Sequence, residues 1–320
     1  MRKNLLFVLL FTMVIIGIGA VFFFNTWNSP NSISSEESVE SKNSLKEEMP
    51  TNYHNSSING KGGSVERVSY ETDFEEESYQ KEALVYLPVD YYDTDKQYNV
   101  LYLMHGWDMG PEDFLGNGGK NEQSLWKTMI DNLIADEKVE PMIVVAPTYY
   151  PNREMITGNW NDDLPLNQRF AESELISDLM PLIASNYRTF AKGSDQSSLQ
   201  EARDHQAFGG FSMGSATTWY VFQYSLQYFK FFMPMAGPNY SDTYLMTESV
   251  NKNDFDDNDF FISASVGEMD GTRASMEQSI SELINEPVFH DQNLTYFETI
   301  GGHDEESFVN QSFHSLQYFF

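Results

Sequence analysis

The sequence predicts an α/β fold, a mainly parallel sheet with helices on both faces. Three observations carry that reading. Runs of near-continuous apolar residues, over 98–104, 142–146 and 260–266, alternate with stretches of helical apolar spacing. Strands apolar on both faces belong to sheets covered on both sides. The string Gly210-Phe211-Ser212-Met213-Gly214 stands between a strand pattern over 205–209 and a helix pattern over 213–228, which sets a serine on a sharp strand-to-helix turn.

Composition bounds the rest. The 320 residues leave room for one large domain or two small ones, and 41% hydrophobic with 15% aromatic content supplies a full core. A formal net charge of −29 argues against nucleic acid or an anionic membrane surface as a partner. There is no cysteine, so disulfides, thiolate chemistry and cysteine-type zinc sites are excluded.

At the N-terminus, Arg2 and Lys3 precede an apolar run from Leu5 to Phe24. About twenty apolar residues are enough to cross a bilayer as a helix. Gly17, Gly19 and Ala20 make a poor cleavage site, and Val21 to Phe24 continue the run beyond it. Residues 1–27 therefore read as an uncleaved anchor with its basic end in the cytoplasm, or alternatively as a signal peptide; both place the remainder outside. Residues 28–63, rich in Ser, Asn, Glu and Lys, read as a disordered polar tether that includes His54. Residues 64–320 are the expected globular domain.

Within it, alternation from Val65 to Tyr70 predicts a strand, and a second runs over 82–87 up to Pro88. The buried strand over 98–104 ends in His105-Gly106-Trp107 and a glycine-rich loop over 110–119. Stripes at Leu125, Met129, Leu133 and at Trp126, Ile130, Ile134 predict a helix over 124–138. After the strand over 142–146 comes an irregular aromatic loop, 149–161. Leu175, Leu179, Leu182 and Ile183 mark one face of a helix over 169–187, kinked at Pro181. Strands over 231–236, 260–266 and 294–300 follow, and a helix over 307–320 closes the chain. Sheets of this kind bind ligands at the carboxyl ends of their strands.

A serine hydroxyl needs a base within hydrogen-bond reach to act as a nucleophile. Of six histidines, His54 lies in the tether and His314 on the last helix. His205 opens the serine's strand at the far end, His290 precedes a strand, and His105 ends one upstream of the serine. His303, in Gly301-Gly302-His303-Asp304 directly after a strand, is the expected base. Asp270, just past the strand over 260–266, is the expected acid that orients it, with Glu268 as local competitor. Asp304 reads as a helix N-cap followed by Glu305 and Glu306. The backbone N–H groups of Met213 and Trp107 are the expected oxyanion donors, with His105 bracing the second loop.

The chain order Ser212, Asp270, His303 is that of the α/β-hydrolases. The segments Tyr102-Leu103-Met104-His105-Gly106, Asp131-Asn132-Leu133-Ile134-Ala135, Gly209-Gly210-Phe211-Ser212-Met213-Gly214 and Gly301-Gly302-His303-Asp304 resemble the esterase-D-like branch of that fold. Within it the chain is most similar to the feruloyl and acetyl-xylan esterases of carbohydrate esterase family 1, from about Glu82 to Phe320. The segment from Leu179 to Tyr187 resembles the family too. The resemblance implies the α/β-hydrolase fold, with Ser212 as nucleophile, His303 as base, Asp270 as orienting acid and no cofactor. Two positions depart from its pattern: Trp107-Asp108 stands where a Gly-Gly pair often follows His-Gly, which bears on acyl-pocket shape, and Ser215 stands where a third glycine is common.

The expected function is an extracellular serine ester hydrolase working through an acyl-enzyme on carbohydrate-linked feruloyl or acetyl esters. The alternatives are acyl transfer, as in the related mycolyltransferases, and a non-catalytic surface binding protein. Trp107, Tyr149, Tyr150 and Trp160 are candidate substrate contacts, equally readable as local packing. The Asp/Asn-rich stretch 253–259 lacks the offsets of an EF-hand and reads as a solvated loop, so no metal is expected.

Overall fold

The computed structural model describes residues 44–55, 62–117 and 124–320. In chain order its elements are β1 (Ser44–Lys46), β2 (Ser64–Phe74), β3 (Glu77–Leu87), β4 (Asn99–Met104), α1 (Glu112–Leu115), α2 (Leu125–Ala135), β5 (Met142–Ala146) and α3 (Trp160–Arg169). A π-helical stretch, Phe170–Leu179, runs on into α4 (Met180–Asn186). Then come α5 (Gln196–Glu201), β6 (Gln206–Phe211), α6 (Met213–Ser225), β7 (Phe231–Met235) and α7 (Thr243–Lys252), followed by β8 (Phe261–Gly267), α8 (Arg273–Ile284), β9 (Leu294–Thr299) and α9 (Glu305–Ser315).

All of these strands join one sheet in the order β1-β9-β8-β7-β6-β4-β5-β3-β2. Pairing is parallel from β1 through β5 and antiparallel for β3 with β5 and β2 with β3. The β2–β3 turn consists of Glu75 and Glu76, both at positive φ (51° and 74°). That is the geometry of a tight hairpin turn, taken here by two residues without glycine's freedom. The central strands β4, β5 and β6 are buried along their whole length, as their apolar runs require.

The sequence reading needs three corrections. Residues 44–55, expected in the tether, belong to the domain. β1 pairs with the edge of β9, Met49 and Tyr53 are buried, and the Tyr53 hydroxyl donates to Asp136 at 2.7 Å. The Met49 N–H donates to Asn310 Oδ1 and His314 Nε2 donates to the Glu47 carbonyl. An edge strand held by its backbone leaves little trace in composition, and only two buried apolar side chains, Met49 and Tyr53, mark this segment.

The second correction is to the helix expected over 169–187 with a kink at Pro181. Helix begins earlier, at Trp160, with Asn159 as N-cap, and its irregularity is the π-helical stretch rather than the proline, which sits in the first turn of α4 where its missing N–H costs little. The aromatic loop over 149–161 is correspondingly shorter. Third, α5, α7 and α8 lacked an apolar stripe strong enough to be expected. Residues 1–43 and 56–61, which hold the expected membrane segment and most of the tether, lie outside the described residues, as do 118–123 of the glycine-rich loop. Among the described residues no helix is long and apolar enough to cross a membrane.

The π-helical stretch has a use. Glu174, at its middle, is fully buried and accepts from the Tyr70 hydroxyl (2.7 Å), Arg169 Nη1 (2.6 Å) and Lys81 Nζ. Burial pushes the Lys81 pKa down, against the pull of the Glu174 carboxylate. Lys81 Nζ also donates to the Thr148 carbonyl at 2.7 Å, which ties β3 to the loop after β5. A buried charge is tolerated only when paired and hydrogen-bonded in this way.

Candidate active site

Ser212 lies between β6 and α6 at φ 58°, ψ −114°, in a region that non-glycine residues rarely enter. Its neighbours make the turn possible. A Cβ on Gly214 would overlap the Met104 carbonyl, and one on Gly210 would overlap Gly214 and sit 2.7 Å from the Met104 oxygen. The Ser212 N–H donates to the Met235 carbonyl at 2.9 Å, which fixes the turn to β7.

The turn brings Ser212 to His303. His303 Nε2 is 2.8 Å from Ser212 Oγ, and His303 Nδ1 is 2.8 Å from Asp270 Oδ2. A carboxylate only accepts, so Nδ1 carries the proton and Nε2 is left to accept from the serine hydroxyl. Asp270 has a second set of partners, the N–H and hydroxyl of Thr272 at 2.7 and 2.8 Å on Oδ1. Burial pushes the Asp270 carboxyl up. The hydrogen bonds from His303 and Thr272 outweigh it and hold the pKa below the usual carboxylate range. Phe211 packs against the imidazole with centroids 4.5 Å apart. Glu268 is not among the hydrogen-bond partners of His303.

The loop after β4 closes on the same point. The position of a Cβ on Gly106 lies 3.2 Å from Ser212 Cβ. The Gly106 carbonyl is held by His105 Nδ1 (2.7 Å), by the Met109 N–H (3.3 Å) and by the Tyr149 hydroxyl (3.4 Å). In a planar trans peptide the N–H is opposite the C=O, so these donors also fix the direction of the Trp107 N–H. His105 therefore carries its proton on Nδ1, and its Nε2 accepts from the Thr148 hydroxyl at 2.8 Å. This is the brace expected of His105, and through Thr148 it rests on Lys81.

His105 is fully buried, and burial pushes its pKa down to about 4. Its folded pKa lies below the ordinary value, so its contribution to stability is complete above about pH 6.5 and lost as pH falls through about 4, about 3 kcal/mol in all. In denaturant titrations between pH 7 and pH 4, His105→Asn, whose amide can still donate to Gly106, is expected to show a shallower loss of stability than the wild type. Equal pH slopes would rule out this role for His105.

A cleft of about 260 Å³ opens beside Ser212, lined by Trp107, Met109, Phe211 and Phe308 together with Asp113, Asp304, Glu305 and His303. A larger cavity of about 800 Å³, lined by residues including Tyr86, Asp131, Lys138 and Phe319, includes none of Ser212, His303 and Asp270. Of the four aromatic candidates only Trp107 lines the cleft. Tyr149 and Tyr150 are buried against the His105 ring, and the Tyr150 hydroxyl donates to Asp163 at 2.9 Å. Each hydroxyl finds a polar partner inside, and this packs both rings into the wall behind the loop instead of its surface. Trp160 lies outside the cleft, in a tilted contact with Tyr240, with ring centroids 5.5 Å apart and planes at 46°.

Sequence reasoning missed Thr272, Phe211, Phe308 and Asp163. Asp163 is fully buried and accepts from Trp107 Nε1 at 3.0 Å as well as from Tyr150, so it holds the Trp107 ring at the cleft. Phe308, in the helix that Asp304 caps, could have been found by helical spacing; Asp163, in a stretch with no motif, could not. In the loop over 253–259, Asp256 Oδ1 accepts from the Asn258 N–H, Asp259 Oδ2 from the Asp256 N–H, and Asp257 pairs with His290. Among the described residues no group of three or more His, Cys, Asp or Glu is placed to hold a metal ion.

Comparison with known proteins agrees with this geometry. Residues 79–311 match the family model described as putative esterase. The chain is 30% identical over 217 residues to endo-1,4-beta-xylanase Y of Acetivibrio thermocellus, covering 64% of this chain and 18% of that protein. It is 31% identical over 166 residues to an endo-1,4-beta-xylanase/feruloyl esterase of Xylanibacter ruminicola, covering 49% of this chain and 19% of that one. The chain thus spans about a fifth of the length of these curated relatives. Among solved structures, a mutant of the feruloyl esterase module from Clostridium thermocellum, complexed with sinapinate, superposes with a TM-score of 0.73 at 26% identity, covering 87% of this chain and 95% of that one. A ferulic acid esterase from Anaeromyces mucronatus in complex with ferulic acid shares the fold, with a TM-score of 0.67 at 18% identity, covering 87% of this chain and 98% of that one. The chain belongs to the putative esterase family, serine ester hydrolases of the α/β-hydrolase fold.

Proposed function

We propose that this protein hydrolyses carbohydrate-linked feruloyl or acetyl esters through an acyl-enzyme on Ser212. The observation that carries the reading is the unbroken hydrogen-bonded line from Asp270 through His303 to Ser212 Oγ. In the first step Ser212 Oγ attacks the ester carbonyl carbon while His303 Nε2 takes its proton. The N–H groups of Met213 and Trp107 receive the negative charge on the carbonyl oxygen. As the tetrahedral intermediate collapses, the carbon–oxygen bond to the sugar breaks and His303 returns the proton to the leaving alcohol. Water, activated by the same nitrogen, then releases the acid and restores Ser212.

The cleft supports an acyl site of limited size. About 260 Å³ is below the usual range for small-molecule pockets, which suits an acyl group and leaves a glycan outside. Its walls are apolar, and Asp113, Asp304 and Glu305 stand at it without a lysine or arginine among the lining residues. Carboxylates there favour a neutral ester over an anionic one and speed departure of the carboxylate product.

The test is a hydrolysis panel of methyl ferulate, p-nitrophenyl acetate and acetylated and feruloylated xylan, with active-site titration by a fluorophosphonate. Turnover of a carbohydrate ester by fluorophosphonate-sensitive enzyme is expected; labelling without turnover of any panel member sinks the reading. Adding methanol and looking for methyl esters separates hydrolysis from acyl transfer. As part of the same proposal, residues 1–27 hold the enzyme at the outer face of the cytoplasmic membrane, supported by Arg2, Lys3 and the apolar run that follows. Co-sedimentation of the full chain with membranes, lost when 1–27 are deleted, checks it.

A further inference from the structure

We propose that Trp160 and Tyr240 form a stacking platform for the glycan that carries the ester, so that one or two sugar units beyond the scissile bond rest on their rings. The inference deepens the proposed function and rests on it for the position of the ester.

Single exposed aromatics are ordinary on a folded domain, whereas two that meet form a contiguous apolar patch. Trp160 is 36% exposed and Tyr240 41%, with ring centroids 5.5 Å apart. They come from different parts of the chain, the start of α3 and the loop after β7, so their meeting is a product of the fold. Both segments are anchored at the site. Asp163, one turn of α3 beyond Trp160 and so about 5 Å along the helix axis, accepts from the Trp107 indole that lines the acyl cleft. Gly237, three residues before Tyr240, packs so closely on Ser212 that a Cβ would overlap its carbonyl oxygen. Three residues of extended chain reach about 10 Å. The platform is therefore close to Ser212, yet neither ring lines the acyl cleft.

This is where an ester of a glycan needs support. With the acyl group in the cleft and the carbonyl carbon at Ser212 Oγ, the sugar lies outside the cleft, within reach of rings that stand near Ser212 without lining the cleft. The faces of a pyranose or pentose ring present C–H bonds polarised by neighbouring oxygens, which suit the negative faces of indole and phenol rings. The formal charge of −29 opposes a polyanionic chain, so the glycan is a neutral one.

The experiment compares wild type, Trp160→Ala, Tyr240→Ala and the double variant on methyl ferulate and on a feruloylated arabinoxylan oligosaccharide. The ratio of kcat/KM for the oligosaccharide to that for methyl ferulate is expected to fall roughly tenfold in the double variant, the scale of one or two aromatic contacts. A second arm needs no turnover: in a Ser212→Ala background, retention of the protein on gels containing unsubstituted arabinoxylan is expected to be lost with the double variant. An unchanged ratio together with unchanged retention overturns the platform. If the wild type cleaves neither ester, the feruloyl form of the proposed function fails instead, and the retention arm still decides whether the rings hold a glycan.

Discussion

Ser212→Ala is expected to lower kcat for ester hydrolysis by about 10⁶-fold, the scale seen when the nucleophile is removed from a serine-hydrolase triad. The reason lies in the geometry: Ser212 Oγ is the oxygen within 2.8 Å of His303 Nε2 at the mouth of the cleft. KM is expected to move little, because the cleft walls Trp107, Met109 and Phe308 are untouched. His303→Ala should cost about as much, and the double variant little more than either alone, because the two groups act as a unit. The substitution keeps the turn, since alanine tolerates the positive φ no worse than serine does. Single-turnover kinetics on p-nitrophenyl acetate checks all three variants; near-additive losses, or a Ser212→Ala enzyme with wild-type turnover, would remove Ser212 from the reaction.

Asp270→Asn is expected to lower kcat by about 10⁴-fold near neutral pH with the fold intact. The asparagine amide can donate to His303 Nδ1 where the carboxylate could only accept. That places the imidazole proton on Nε2, facing Ser212, and the serine loses its base. The change also has a pH signature in stability. In the wild type the bonds from His303 and Thr272 hold the Asp270 carboxyl below its ordinary value. Its contribution to stability is thus present above the unfolded-state value and lost as pH falls through the folded one, in strongly acid solution. Asparagine does not titrate there, so this part of the acid limb should flatten in the variant. Rate measurements at pH 7 and acid-unfolding curves test the two halves separately. A loss confined to KM would contradict the tautomer argument.

Much of the site was legible because its parts sit at the ends of recognisable elements. Ser212 follows a strand and opens a helix between glycines that local sterics demand. Asp270 and His303 each follow a buried apolar run, and a parallel sheet brings the carboxyl ends of its strands to one side. Asp270 was preferred to Glu268 for its spacing past the strand end, and the imidazole bond goes to Asp270. Tyr149 and Tyr150 stayed open between substrate contact and packing for a different reason. A tyrosine in a loop reads the same whether its hydroxyl meets water or a buried aspartate, and here Asp163 supplied the partner.

The sequence by itself determined the α/β architecture, the chain order of Ser212, Asp270 and His303 at strand ends and the brace at His105, because strand burial, turn sterics and hydrogen-bonding capacity are local properties. Tertiary structure alone decided that residues 44–55 seat on the edge of β9, that Glu174 and Lys81 pair under the loop after β5, and that Trp160 meets Tyr240. Each of these joins segments far apart in the chain, and no local pattern encodes which distant surface will be free to receive them.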